Sequence, residues 1–171
     1  KPIINFPVYG DYLVKVTITN SCGTDFATQN VHITQSITGN TLTASPPQGC
    51  GCLMPVTISG SVPSGGSGTY TYEWEMNSGS GWQPITVGGT QNYIINEPMC
   101  QSTMFRRTVY DAGDCVDESL PVEVTVYPGV QNNLILSNQQ VCSNKLPETI
   151  QGTLPVGGNL PFTYSWESSI D

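Results

Sequence analysis

Charge is scarce in this chain, and positive charge is scarcest. Only 11% of the 171 residues are charged, with 13 acidic side chains against 5 basic ones and a formal net charge of -8. Nucleic acids and anionic membrane surfaces both attract clustered Lys and Arg, so neither is a partner of such a chain. No run approaches the ~20 apolar residues of a helical membrane span, which argues against membrane insertion. His32 is the only histidine and no Cys-x-x-Cys pair occurs, so the ligand spacing of a zinc site is missing. The Asn-x-Ser/Thr sequon is absent too, and nothing points to a glycosylated animal ectodomain. Nor is there a 3.6-residue apolar pattern of the kind an amphipathic helix needs.

What the chain does have is a repeat. Cys50–Glu75 reads CGCLMPVTISGSVPSGGSGTYTYEWE, and Cys142–Glu167 reads CSNKLPETIQGTLPVGGNLPFTYSWE. A shift of 92 positions superposes Cys50 on Cys142, Pro55 on Pro147, Gly60 on Gly152, Gly65-Gly66 on Gly157-Gly158 and Trp74 on Trp166. Solenoid units run about 20–50 residues, so a period this long is a whole domain. The second copy stops just past its Trp and Lys1 is no initiator. The chain is therefore expected to be a fragment with one complete module (35–127), the end of a preceding one (1–34) and the start of a following one (128–171).

Alternation of apolar and polar residues marks the strands. Tyr12, Val14, Val16 and Ile18 share one face, and Val31–Ile33 is expected to close the first domain after a turn at Asn20–Gly23. Gln35-Ser36 is a two-residue linker, too short for wide bending. In the complete module, strands are expected at Thr41–Ala44, Pro55–Ser59, Thr69–Met76, Trp82–Val87, Tyr93–Ile95, Met104–Tyr110 and Val122–Val126. Pro46, Pro47 and Gly49 read as a break, and 63–68 as a loop. About seven short strands with a central Trp74 predict an all-β chain of tandem immunoglobulin-like, Greek-key β-sandwiches.

Six cysteines without metal spacing predict disulfides, and with them an oxidising compartment: secreted, periplasmic or cell-surface. Cys50, Cys52, Cys100 and Cys115 allow three pairings. Cys142 repeats Cys50, and Cys22 repeats Cys115 at a shift of 93. The recurring pair is read as Cys50–Cys115, leaving Cys52–Cys100, with Cys22 and Cys142 bridged to the missing halves of their own domains.

Few residues invite chemistry. Glu73 and Glu75 lie on one strand face at a separation a glycosidase could use, but that face is also simply the solvent side. His32 has no partner motif for a nucleophilic triad. Asp111, Asp114, Asp117 and Glu118 crowd one loop and are weak calcium candidates, while EF-hand spacing is absent. Arg106 and Arg107 must face opposite ways, and the register turns Arg107 inward toward Trp74. Trp82, after Gly81, is the candidate for stacking on a sugar ring. No catalytic residue and no cofactor is expected, calcium aside.

Two resemblances extend this reading. FPVYGDYLVKVTITNSCGTD resembles the final strands of polycystin-type (PKD) repeats. The series Cys-x4-Pro, Gly-Gly, Tyr-x-Trp-Glu, Trp-Gln-Pro-Ile, Phe-Arg-Arg, Cys and Val-x-Val-x-Val resembles immunoglobulin-like repeats of large secreted surface proteins of Bacteroidetes. It runs from Thr41 to Val126 and resumes from Cys142 to Glu167; Cys52 and Cys100 are additional to the two-cysteine pattern. The resemblance implies a non-enzymatic repeat segment of an extracellular adhesin, of the gliding-motility type exported by type IX secretion. Its partners would be neighbouring repeats, surface glycans or other copies of a filament. The alternatives are a carbohydrate-binding accessory module of a secreted polysaccharide-degrading enzyme and a calcium-dependent adhesion module.

Overall fold

The computed structural model describes residues 3–86, 89–113 and 115–170. Among them there is no helix; all regular structure is β. β1 (Gly10–Asn20) and β2 (Gly23–Ile33) form an antiparallel ribbon paired without interruption from Gly10↔Ile33 to Asn20↔Gly23. The Asn20 side-chain oxygen accepts from the backbone N–H of Cys22 and of Gly23, which fixes the tight turn. β2 is far longer than Val31–Ile33 because the mostly polar segment from Thr24 to Asn30 pairs through its backbone, which apolar alternation does not report.

The central sandwich uses nine strands. They are β3 (Leu42–Ser45), β4 (Gln48–Cys50), β5 (Val56–Gly60), β6 (Tyr70–Asn77), β7 (Gln83–Ile85), β8 (Tyr93–Ile95), β9 (Thr103–Asp111), β10 (Val116–Glu118) and β11 (Val122–Tyr127). One sheet has the order β3-β5-β8. The other has the order β4-β11-β9-β6-β7, with β10 also on β9. All pairings are antiparallel except β4 with β11. That exception explains the Pro46-Pro47 break. Prolines cannot donate to a ladder, so the chain leaves the small sheet there. The Pro47 carbonyl then accepts from Thr125 N–H at 3.0 Å, and the chain continues as an edge strand of the large sheet.

The core lies between the sheets. Val56, Ile58, Trp74, Met99, Phe105 and Val124 are buried in it, with Leu42, Leu53, Tyr93 and Val122 packed at its margin. Every second residue of β5 and β9 points inward, as a pleated strand requires. Trp74 anchors the centre and donates its indole N–H to Thr90 O at 3.0 Å, so burial leaves no polar atom orphaned. On β6 the inward set stops at Trp74: Tyr70 and Tyr72 are half-buried and Met76 is exposed.

The sandwich has two distinct ends. Gln35 enters beside the end of β9, where Asp111 and Cys115 lie; this is the leading end. Tyr127 leaves beside Cys50 and near the start of β9; this is the trailing end.

Beyond Pro128 the same construction begins again. Gly66 N–H donates to Gln35 O at 2.8 Å, and Gly158 N–H donates to Pro128 O at 2.7 Å. Thr38 pairs with Ser64 as Gln131 pairs with Val156. Ser61 bridges Gly39 O and Thr41 N, as Thr153 bridges Asn132 O and Leu134 N. Short strands β12 (Ile135–Leu136) and β13 (Gln151–Gly152) pair here, and Trp166 is exposed.

Candidate functional site

Three groups of side chains merit description as sites. The first is interior. Arg107, in the middle of β9, has no solvent exposure. Its Nε and Nη2 both donate to Asn40 Oδ1 (2.8 and 2.7 Å), Nη1 donates to Gln91 O (2.8 Å) and Nη2 also to Ser61 O (2.9 Å). Asn40 in turn donates to the Arg107 and Asp117 carbonyls, and Ser119 holds the Arg107 backbone N–H. The guanidinium carbon lies 4.9 Å from the Tyr72 ring centroid and 5.7 Å from that of Trp74. Burial lowers the Arg107 pKa from its ordinary value, against the raising influence of Tyr72 and Asp117. A buried cation is costly unless fully hydrogen-bonded, and carbonyl-type oxygens supply those bonds here. Asn40 and Ser61 flank strands of the small sheet and Gln91 stands just before β8, so Arg107 ties the two sheets together at the leading end.

The second group lies on the outer face of the large sheet. Arg106 sits opposite Glu75 in the β6–β9 ladder. It donates to Glu75 Oε2 at 2.6 Å and to Glu118 Oε1 at 2.8 Å. Its pKa is raised, first by the Glu75 hydrogen bond. Trp82 is half-buried, and the Arg106 guanidinium lies 4.4 Å from its ring centroid. One face of the proposed sugar platform is therefore already covered. Tyr110 donates to Glu73 Oε2 at 2.8 Å, which raises the tyrosine pKa. Glu73 and Glu75 are thus each committed to a separate partner. His32 is exposed and paired with Asp11 across the β1–β2 ribbon at 2.6 Å.

The third group gathers at the leading-end loop. Asp111 accepts from the backbone N–H groups of Ser67, Gly113 (2.9 Å) and Cys115 (2.8 Å). Desolvation pushes its pKa up, but the three N–H donors outweigh it and the net shift is downward. These donors occupy the oxygens that a cation would need. Asp117, half-buried on β10, contributes its carbonyl to Asn40; Asp114 lies outside the described residues. Among the described residues no three His, Cys, Asp or Glu side chains converge on a point.

The cysteines divide as half expected. Cys52 and Cys100 form a disulfide with Cα atoms 4.1 Å apart, beside the Leu53↔Met99 bridge at the trailing end. Cys50 and Cys115 are not joined, and both are free thiols along with Cys22 and Cys142. The pairing Cys50–Cys115 is corrected by topology. Cys50 sits beside Tyr127 near the start of β9, whereas Cys115 follows its end. At about 3.4 Å per residue, β9 separates them by roughly 27 Å. A disulfide spans no more than about 7 Å between Cα atoms.

Sequence reasoning placed Arg107 inward but missed Asn40, Ser61 and Gln91, which stand in turns outside any strand pattern. The repeat held a signal for two of them: Asn40 falls on Asn133 at a shift of 93, and Ser61 on Thr153 at 92. No protein-family model matches this chain, and no curated protein does.

Proposed function

We propose that the chain is a run of tandem immunoglobulin-like modules serving as rigid spacers in the stalk or surface filament of an extracellular adhesin, with no reaction of their own. The observation that carries this reading is the repeated joint. Two successive module starts, Gln35-Ser36 and Pro128-Gly129, are each held by the second glycine of a Gly-Gly loop through a bond to the carbonyl of the module's opening residue. A Cβ on the first glycine would fall 2.2 Å from Ser36 O in one joint and 2.3 Å from Gly129 O in the other. Each module is thus locked onto its opening segment in the same way, as a tandem repeat requires. The exchange of strands between sheets, and the parallel β4–β11 edge, support the immunoglobulin-type topology.

The sandwich also suits tension. Its joints lie at opposite ends, and β4 and β11 run parallel toward the trailing end. Pulling Gln35 against Tyr127 therefore shears the two strands, and Thr125 N–H···Pro47 O (3.0 Å) and Gly51 N–H···Tyr127 O (2.9 Å) are loaded together. The Cys52–Cys100 bridge fits an oxidising, extracellular setting, which the Bacteroidetes surface-protein resemblance would make a cell envelope.

Single-molecule pulling from the two ends of the chain tests the reading. A discrete, force-resisting event for 35–127 supports it. Extension without resistance, or specific glycan binding by the unmodified chain that Trp82→Ala abolishes, would replace it with a binding-module function.

A further inference from the structure

The four thiols left over by the Cys52–Cys100 bridge occupy only two structural positions. Cys50 marks the trailing end: it is exposed and lies directly beside Tyr127, the last residue before the next joint. Cys115 marks the leading end: its Sγ lies 3.8 Å from Gln35 O, the carbonyl that the Gly-Gly loop grips. By the repeat, Cys142 belongs to the trailing position and Cys22 to the leading one.

The two positions meet at a joint. Pro128 O is gripped by Gly158 as Gln35 O is by Gly66, so Pro128 plays the part of Gln35 for the module it opens. The leading-end cysteine of that module would therefore stand by the Pro128 carbonyl. Cys50 is one strand spacing from Tyr127, about 4.8 Å, and Pro128 is the very next residue, about 3.8 Å on. The trailing-end cysteine of one module and the leading-end cysteine of the next would thus flank the same dipeptide, Tyr127-Pro128. We propose that Cys50 forms a disulfide with the Cys115 counterpart of the following module, a covalent staple across each joint. Cys115 likewise bonds to the Cys50 counterpart of the module before it.

This rests on the tandem-module reading, and it accounts for two facts together. Both positions recur, yet within one sandwich they stand at opposite ends. Formation is a two-electron oxidation by a disulfide donor of the thiol–disulfide oxidoreductase class. One cysteine thiolate attacks the donor disulfide and releases one donor thiol. The second cysteine then displaces the other, so an S–S bond forms as the donor disulfide becomes two thiols.

The test is to insert a second copy of 35–127 directly after Tyr127 in the full chain, which creates one complete central–central joint. The protein is folded with oxidised glutathione, alkylated, digested without reduction and mapped by mass spectrometry. The expected result is a Cys52–Cys100 bridge in each copy plus one peptide joining Cys50 of the first copy to Cys115 of the second. Cys50→Ser in the first copy should then free that single Cys115 for alkylation. Both Cys52–Cys100 bridges with Cys50 and Cys115 fully alkylated would overturn the staple while leaving the spacer reading untouched. Links between separate chains through these thiols in place of the joint would overturn it equally.

Discussion

Arg107 and Asn40 share a single acceptor atom: Nε and Nη2 of the arginine both donate to Oδ1 of the asparagine, at 2.8 and 2.7 Å, with both residues buried. Removing the acceptor strands a charge that has nowhere to go. Asn40→Ala should cost about 3 kcal/mol or more of stability, read from the urea midpoint of the central sandwich. Arg107→Met removes the charge together with its need for acceptors and should cost less than Asn40→Ala. The reverse order would mean the guanidinium is held by stacking on Tyr72 and Trp74.

Gly60 is part of the same node. A Cβ there would lie 1.9 Å from Arg107 Nη1 and 2.7 Å from Gln91 O. Gly60→Ala should therefore destabilise by about 1–3 kcal/mol, the usual range for overpacking. In the Arg107→Met background the penalty should shrink, and a double-mutant cycle by chemical denaturation measures the coupling.

On the outer face the opposite scale applies. Arg106 and Glu75 are half-buried and Glu118 is exposed, so water and salt still reach and screen the network. Glu75→Gln should change stability by less than about 1 kcal/mol, and by less still in high salt. Circular-dichroism melts at two ionic strengths check this.

Asp111 sets an acid limit on the leading end. Its folded pKa lies below the usual carboxylate value because three backbone N–H groups bond the charged form, despite an opposing desolvation. A depressed carboxylate pKa contributes stability above the unfolded value, about 3.9, and loses it as pH falls through the folded value. Asp111→Asn should flatten that acid branch, because an amide does not titrate, and should lower stability at neutral pH, because its NH2 would face a backbone N–H. Urea unfolding from pH 6 down to pH 2 gives the comparison.

The disulfide should be visible in length. Cys52 and Cys100 are 48 residues apart. At no more than about 3.3–3.6 Å per residue, the bridge hides roughly 160 Å of chain from a pulling experiment. Unfolding under reducing conditions should lengthen the step by about that amount, and Cys52→Ser should do so without reductant.

Alternation was enough to place the strong strands: β5, β6, β9 and β11 were readable because Val56, Trp74, Phe105 and Val124 recur on an inward face. It failed where backbone alone decides. The segment from Thr24 to Asn30 has only Phe26 and Ala27 as apolar residues, with no alternation, yet pairs fully with β1, and Gln48–Cys50 is a strand because Tyr127 and Thr125 offer it a free edge. The inward turn of Arg107 followed from parity along β9. Its acceptors did not, since Asn40, Ser61 and Gln91 sit in turns whose folding depends on the other sheet. The cysteine pairing went wrong because recurrence tells which positions matter, not which end of a sandwich they occupy.

The Cys52–Cys100 link also changes what damage to the exposed loops would mean. The strands β5, β6, β7 and β8, with the Gly-rich turn at 63–68 and the turn after Asn77, all fall between its two sulfurs. A protease that severs the polymer in either turn leaves both halves connected through sulfur. The following repeat has Asn144 at the place of Cys52, so this tolerance of a nick belongs to the central sandwich and is not shared by that repeat.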